Sequence, residues 1–550
     1  MPGENLLGPA ETAVREDLRL TVRERSARPS GGKRLTLVLR PVDQLGTTAR
    51  DCGKDAGARR AGSVDMMLLT VAIVVGALLR LVRLGAVGLN SDEAVYAAQA
   101  ASLAGNPHFT GVFPVFRAHP LLFQILISPL YRTGTPDVPG RYVDAAFGVG
   151  TIVLVFMLGR LLYGRRVGAL AALLLGLMPY HVIITRQLLL DGPMTFFATG
   201  ALVCLAILAR SERSRWLIAA GACLGLAALT KETAIVMVGS AFVFLSLVPR
   251  FWRPVRYAVA ASGVALGLAI TYPLVTAAAG GSRSGQSYLL WQLSRRPNHD
   301  VGFYLTTVPL SMGPLLLVAA AAGLLLLRQH FSWREVLLLS WVVVPFVFFQ
   351  IWPVKGFPYL LLLAPPVAVL AARCLGWLSD RQPRTWLITT VATTTIIGVA
   401  VSLLVPSLRS ALHPSTSGLA GAGGSPGGRE AGLWIAGHLP QGAQLMTLGP
   451  SMGNIVQYYS GHRADALSVS PNPLRRNPAY RPIPNPDAAL RAGTYQYVVW
   501  DAYSARRSPT FATRELGLIR KFDGRAVHTE LASLDGKAPQ PVIVIYLVHP

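Results

Sequence analysis

The chain has 550 residues, 52% of them hydrophobic and only 14% charged, a balance that excludes a soluble enzyme of this length and marks a protein with several membrane spans. The net charge of +24 does not point to nucleic acid. Its arginines cluster in short loops between apolar runs, where membrane topology accounts for them.

Residues 1–64 are polar, with Gly and Pro but no apolar run able to span or build a core, and predict a disordered cytoplasmic tail. Leu35 to Leu39 is its one strand-like patch. A signal peptide is excluded, because the first apolar run starts too late and is too long. Eleven segments then qualify as spans: 66–84, 142–162, 167–184, 191–209, 216–230, 234–248, 258–277, 303–327, 335–352, 358–378 and 385–406. Most are near the ~20 residues that a ~30 Å hydrocarbon core requires, although 216–230 and 234–248 are short.

Pro120 to Tyr131 is apolar but too short to cross. Laid on the membrane surface, it leaves the Arg-rich loops at Arg165-Arg166, Arg210–Arg215, Arg250–Arg256 and Arg328–Arg334 all inside. The N-terminus is then cytoplasmic and the C-terminus outside. A Gly/Ser/Pro linker covers 407–428. Residues 429–550 predict a small extracytoplasmic α/β domain with helices at 429–438 and from Ser451 to Tyr459. Its strands are expected at 443–448, Tyr495–Trp500 and Val542–Val548. The Pro-rich stretch 471–486 reads as an irregular connection. The cysteines Cys52, Cys204, Cys223 and Cys374 stand singly, so neither a disulfide framework nor a metal site is implied.

The chemistry concentrates at Asn90-Ser91-Asp92-Glu93, directly after the first span. Ser91 reads as a helix N-cap, and acidic residues in a first turn suit the helix dipole without any catalytic duty. The same topology, however, places Arg117, His119, Arg186, Asp191, Lys231, Glu232, Arg295, Arg296, His299, Lys355 and Tyr359 on that outer face. Each cation alone reads as a snorkelling side chain. Together, cations that break the topological bias suit an anion. Paired carboxylates ringed by cations match transfer from a lipid-linked phosphosugar: the cations hold the phosphate, Arg by its planar fork, and a carboxylate takes the acceptor proton. Spacing does not choose between Asp92 and Glu93.

The series Arg80-Leu-Val-Arg83, Asn90-Ser-Asp-Glu-Ala-Val-Tyr96, Arg117-Ala-His119-Pro-Leu121, Arg186-Gln-Leu-Leu-Leu-Asp191, Leu229-Thr-Lys231-Glu232 and Lys355-Gly-Phe-Pro-Tyr359 resembles the GT-C superfamily. More narrowly it is similar to glycosyltransferase family 39, the dolichyl-phosphate-mannose protein mannosyltransferase and aminoarabinose transferase group. The resemblance covers about residues 66–378. It implies an all-α polytopic fold of about eleven transmembrane helices, with interfacial helices in the first outer loop, followed here by the small C-terminal α/β domain.

By the same resemblance Asp92 is the essential carboxylate with Glu93 beside it. Arg117, Arg186, Lys355 and Tyr359 bind the donor phosphate, and His119, Asp191 and Lys231 support them. Leu121 stands where the family's element carries a second Pro. The donor implied is a polyprenyl-phosphate sugar, and the acceptor a protein, lipid or glycan hydroxyl at the cell membrane. The 278–302 loop has no β-trefoil-like insertion, which argues for a bacterial branch. No metal cofactor is expected, although an acidic pair could hold Mg²⁺ or Mn²⁺. Two other readings remain: a transporter or flippase, which predicts ionisable residues in mid-membrane and paired broken helices, and a structural membrane component that binds a partner.

Overall fold

The computed structural model describes residues 17–22, 37–42, 55–109, 112–248, 255–279, 291–292, 295, 297–326, 328–380, 386–416, 425–472, 476–533 and 538–549. All eleven expected spans are helical within these residues. Seven helices are long and apolar enough to cross a membrane: Ser63–Leu81, Pro139–Tyr163, Asp191–Ser211, Val255–Ala278, Trp333–Ile351, Phe357–Leu378 and Thr390–Leu412. Large apolar side chains stand exposed along them, including Val259, Leu266, Leu274 and Val401, as expected where lipid is the solvent.

The other four segments depart from single straight spans for local reasons. Segment 303–327 is a pair, Phe303–Met312 and Pro314–Leu326, bent by 97°. Pro309 and Pro314 each remove a backbone donor, and Gly313 between them has φ +103°, so the helix cannot run through. Segment 167–184 breaks at Met178–Pro179 into Arg165–Leu177 and Pro179–Ile184. Segments 216–230 and 234–248 form the shorter apolar helices Arg215–Thr230 and Glu232–Leu247, which meet at Lys231. The segment after Pro120 is a helical stretch, Leu122–Tyr131, well short of a span. The last span continues past Pro406 to Leu412, so the linker is shorter than expected at that end.

Small residues let backbones approach in the bundle, as membrane helices require. Gly159 packs on Gly168, where an added Cβ would sit 2.7 Å from the Gly168 Cα.

In the N-terminal region, β1 (Asp17–Val22) and β2 (Leu37–Val42) pair antiparallel from Asp17↔Val42 to Val22↔Leu37, and β2 overlaps the strand-like patch expected at Leu35 to Leu39. The remainder of the expected tail up to 54, most of the 278–302 loop and linker residues 417–424 lie outside the described residues.

The C-terminal domain is the expected α/β unit. Five strands, β3 (Leu445–Thr447), β4 (Ala464–Ala466), β5 (Tyr497–Asp501), β6 (Arg525–Ala532) and β7 (Gln540–Leu547), form one sheet in the order β4-β3-β5-β7-β6. The β3 pairings are parallel and the β7 pairings antiparallel. Strands β4 and β6 escaped the sequence reading, since β4 has three residues and β6 is mostly exposed. Helix Pro450–Ser460 packs one face into this domain's core through Met452 and Val456 and another against helix Ser91–Leu103.

Candidate active site

The helix Ser91–Leu103 starts one residue earlier than Ser91 capping would give. Asn90 is the N-cap: its side chain accepts from the Glu93 N–H, and the Glu93 carboxylate accepts from the Asn90 N–H, each at 3.0 Å. This capping box turns the two acidic neighbours in different directions. Glu93 is fully buried. Its Oε1 accepts from Arg141 Nε at 2.7 Å and the Leu188 N–H at 2.9 Å, and its Oε2 accepts from Arg141 Nη2 at 2.7 Å. Arg141 also donates to the Leu84, Val87 and Gly88 carbonyls. Four hydrogen bonds thus occupy the Glu93 carboxylate and tie the start of the helix to Arg141 and Leu188. Asp92, by contrast, stays partly exposed.

On the Asp92 side the structure gathers several of the expected residues. Asp191 opens helix Asp191–Ser211, and both its oxygens accept from Lys231 Nζ at 2.8 Å. The Lys231 ammonium lies 4.8 Å above the Tyr359 ring, a cation–π contact. The charges acting on the Tyr359 phenol are those of Lys231, Asp191, Arg295 and Asp92. Lys231 and Glu232 are adjacent but do not form a local pair. Glu232 instead meets His119 Nδ1 at 2.8 Å, and His119 sits edge-on to Tyr96 in the Asp92 helix. The Asp191–Lys231 pair with Tyr359, and the His119–Glu232 pair against the Asp92 helix, thus adjoin through the neighbours Lys231 and Glu232; with Arg295 the set is drawn from six stretches of chain.

Three expected phosphate ligands point elsewhere. Lys355 Nζ donates to the Gln350 and Trp352 carbonyls at 3.0 and 3.3 Å, so it caps the end of helix Trp333–Ile351, where a cation meets unpaired carbonyls and the helix dipole. Arg186 is buried and donates to the Leu79 and Val82 carbonyls of the first span. It opens into a separate cavity with Arg83, Arg141, Arg409 and His413. Burial, with the Arg141 charge behind it, lowers the Arg186 guanidinium to about 10. Arg117 lies between the Phe113 and Tyr480 rings, 4.8 and 4.7 Å from their centroids, and its Nη2 donates to Asn454 Oδ1 at 3.0 Å.

The Arg117 contacts belong to a wider clamp. Asn454 Nδ2 donates to Ser91 Oγ at 2.9 Å and to the Tyr480 hydroxyl at 3.1 Å. The Tyr459 hydroxyl accepts from the Leu89 N–H at 2.8 Å and donates to Asp137 at 2.6 Å, and Arg429 joins the same Asp137. The C-terminal domain is thus bonded to the residue beside Asp92. A cavity of about 570 Å³ opens along this seam, lined among others by Arg117, Asn454, Asp465, Tyr480, Arg481 and Tyr495. Sequence reasoning missed Arg141, Asn454 and Tyr459, because each acts through a partner far along the chain.

Residues 118–276 match a family model described as dolichyl-phosphate-mannose-protein mannosyltransferase. The match takes in His119, Arg186, Asp191 and Lys231. Among solved structures, ArnT from Cupriavidus metallidurans in the apo state superimposes with a TM-score of 0.63 at 15% identity, covering 88% of this chain and 98% of that one. The fold is GT-C. The same ArnT bound to undecaprenyl phosphate gives a TM-score of 0.59 at 15% identity over the same shares of the two chains. The GT-C oligosaccharyltransferase AglB from Archaeoglobus fulgidus, in complex with an inhibitory peptide and a dolichol-phosphate, gives 0.56 at 13% identity, covering 88% of this chain and 74% of that one. No curated protein matches this chain significantly in sequence.

Proposed function

We propose that this multi-pass membrane protein transfers a sugar from a polyprenyl-phosphate donor to a hydroxyl acceptor, on the membrane face that carries the C-terminal domain. The observation that carries the reading is the buried Asp191–Lys231 pair against the Tyr359 ring, with the adjoining His119–Glu232 pair set against Tyr96 of the Asp92 helix. The solved relatives add support, one holding undecaprenyl phosphate and another dolichol-phosphate. In this reading the acceptor hydroxyl oxygen attacks the anomeric carbon and the bond from that carbon to the phosphate oxygen breaks. Polyprenyl phosphate leaves with the electron pair, and Asp92 takes the hydroxyl proton. Lys231 and Arg295 face the charge that grows on the leaving phosphate, so no metal ion is assigned a role. The Tyr359 ring steadies Lys231. The acceptor reaches Asp92 along the cavity under the C-terminal domain, which lies outside the cytoplasm.

The test incubates the purified protein in lipid with a panel of radiolabelled polyprenyl-phosphate sugars and candidate acceptors, and follows where the label moves. Transfer that vanishes in Asp92→Asn while the protein still folds and inserts supports the reading. Full transfer by that variant overturns the role of Asp92. Vesicle uptake of donor without any transfer favours a flippase instead, and transfer abolished by a chelator overturns the metal-free assignment.

A further inference from the structure

On the domain-bearing face, the end of the first span meets the end of the last. Between them lies a second cavity of about 230 Å³. Asp92, Asp191, Lys231 and Tyr359 do not line it. Arg83, Arg186, Arg409 and His413 do, with Arg141 at the back, and no carboxylate is among the described residues around it. Arg141 is neutralised by Glu93. The others have no such partner: Arg186 and Arg83 donate only to backbone carbonyls, Arg83 to Leu412. The Arg409 and His413 side chains make no hydrogen bond or ion pair among the described residues.

Arg83 and Arg186 close the ends of the last and first spans, and with Arg409 they leave the cavity positive with no carboxylate among its described lining residues, a setting that suits an anion. The backbone also bends to build the group. Arg83 has φ +53°, a left-handed conformation that disfavours a side chain, and this bend lets its guanidinium reach the end of the last span. Arg409 and His413 are one helical turn apart, so they face the cavity from the same side.

The surroundings indicate what carries the anion. Leu81, Val405, Leu408 and Leu412 leave apolar side chains exposed at the two span ends, at the depth where acyl chains give way to headgroups. A planar guanidinium fork is suited to phosphate oxygens. We propose that this cavity binds a phosphate group of a lipid in the same leaflet, as a site separate from that of the sugar donor. The phosphate sits among Arg83, Arg186, Arg409 and His413, and its chains lie along the exposed apolar ends of the two spans.

The full-length protein, delipidated and then offered phosphatidylglycerol or phosphatidylcholine, is examined by native mass spectrometry. Wild-type protein is expected to retain phosphatidylglycerol. Arg409→Gln and His413→Gln, both on the exposed surface, each lower retention, with about a tenfold loss for the Arg change, and Arg132→Gln, outside the cavity, leaves it unaltered. Unfolding temperatures matching wild type confirm that the variants fold. Equal retention by all variants overturns the proposal. Inorganic phosphate, followed by ³¹P NMR, distinguishes the source: a signal lost in Arg409→Gln without any lipid retention overturns the lipid assignment in favour of a soluble phosphate. The readout involves no sugar transfer, so it stands or fails independently of the proposed reaction.

Discussion

Glu93 and Arg141 meet through two hydrogen bonds of 2.7 Å, with both side chains sealed from solvent. Adjacent in sequence, Asp92 and Glu93 are therefore unlike in surroundings, one partly exposed and one buried and paired, and single variants should separate them. Glu93→Gln leaves the Arg141 charge buried without its partner, which costs roughly 3–5 kcal/mol. The expected outcome is poor recovery of folded protein and a lowered unfolding temperature. Asp92→Asn should unfold like wild type and lose about 10²–10⁴-fold in transfer rate. A stable, active Glu93→Gln would sink the anchoring role.

The Asp191–Lys231 pair combines both kinds of loss. Lys231→Met strands a carboxylate that is only 3% exposed, a change of roughly 3–5 kcal/mol, and also removes the cation nearest Tyr359. Pairing it with Asp191→Leu should restore much of the unfolding temperature, because an apolar pair of similar volume avoids the desolvation of two charges. Transfer should stay lost in the double variant. Recovery of transfer along with stability would make the pair structural only.

Asn454 ties the C-terminal domain to Ser91 and Arg117. Asn454→Ala leaves the buried Arg117 donor unmet at a cost of about 1–3 kcal/mol. Limited proteolysis should then cut the chain in the 413–427 connection faster than in wild type. If the domain stays equally protected, these bonds do not hold it down.

Asp501 and Glu515 are buried together in the C-terminal domain. Among the described residues, Asp501 Oδ2 and both Glu515 oxygens have no hydrogen-bond partner. Burial raises the Asp501 carboxyl to about 6, and burial with repulsion from Asp501 raises Glu515 well above its usual range. Between the ~3.9 of an unfolded Asp and the folded value, the folded chain binds more protons. The acids' contribution thus favours folding at low pH and is lost as pH rises through about 6. Asp501→Asn keeps the cap to the Ser504 N–H, now 2.7 Å, and removes the charge. It should raise the unfolding temperature at about pH 8 and flatten the decline between about pH 4 and pH 6. An unchanged profile would show that these carboxyls are not what titrates.

The bundle was legible because apolar length is a direct physical requirement of the bilayer, and each of the eleven runs does form helix. Breaks were less legible. The run 303–327 reads as one span in the sequence, and the 97° bend between its two helices, at Gly313, does not show in its apolar length. At the site, Asp191 and Lys231 were named but not as a pair, because 40 residues separate them. Lys355 and Tyr359 belong to one run, yet one faces a helix end and the other the Lys231 ammonium. Charge in a sequence indicates that a cation is present, and folding decides which carbonyl or carboxylate it answers.

The seam between Asn454, Arg117 and Tyr480 bears on engineering. Exchanging the C-terminal domain for that of another protein of this fold would sever a floor shared by both halves. A workable graft has to transplant residues 112–117 together with the new domain, so that the membrane half inherits matching rings and amides. Moved alone, the donor domain would arrive without the surface on which its own helix is seated.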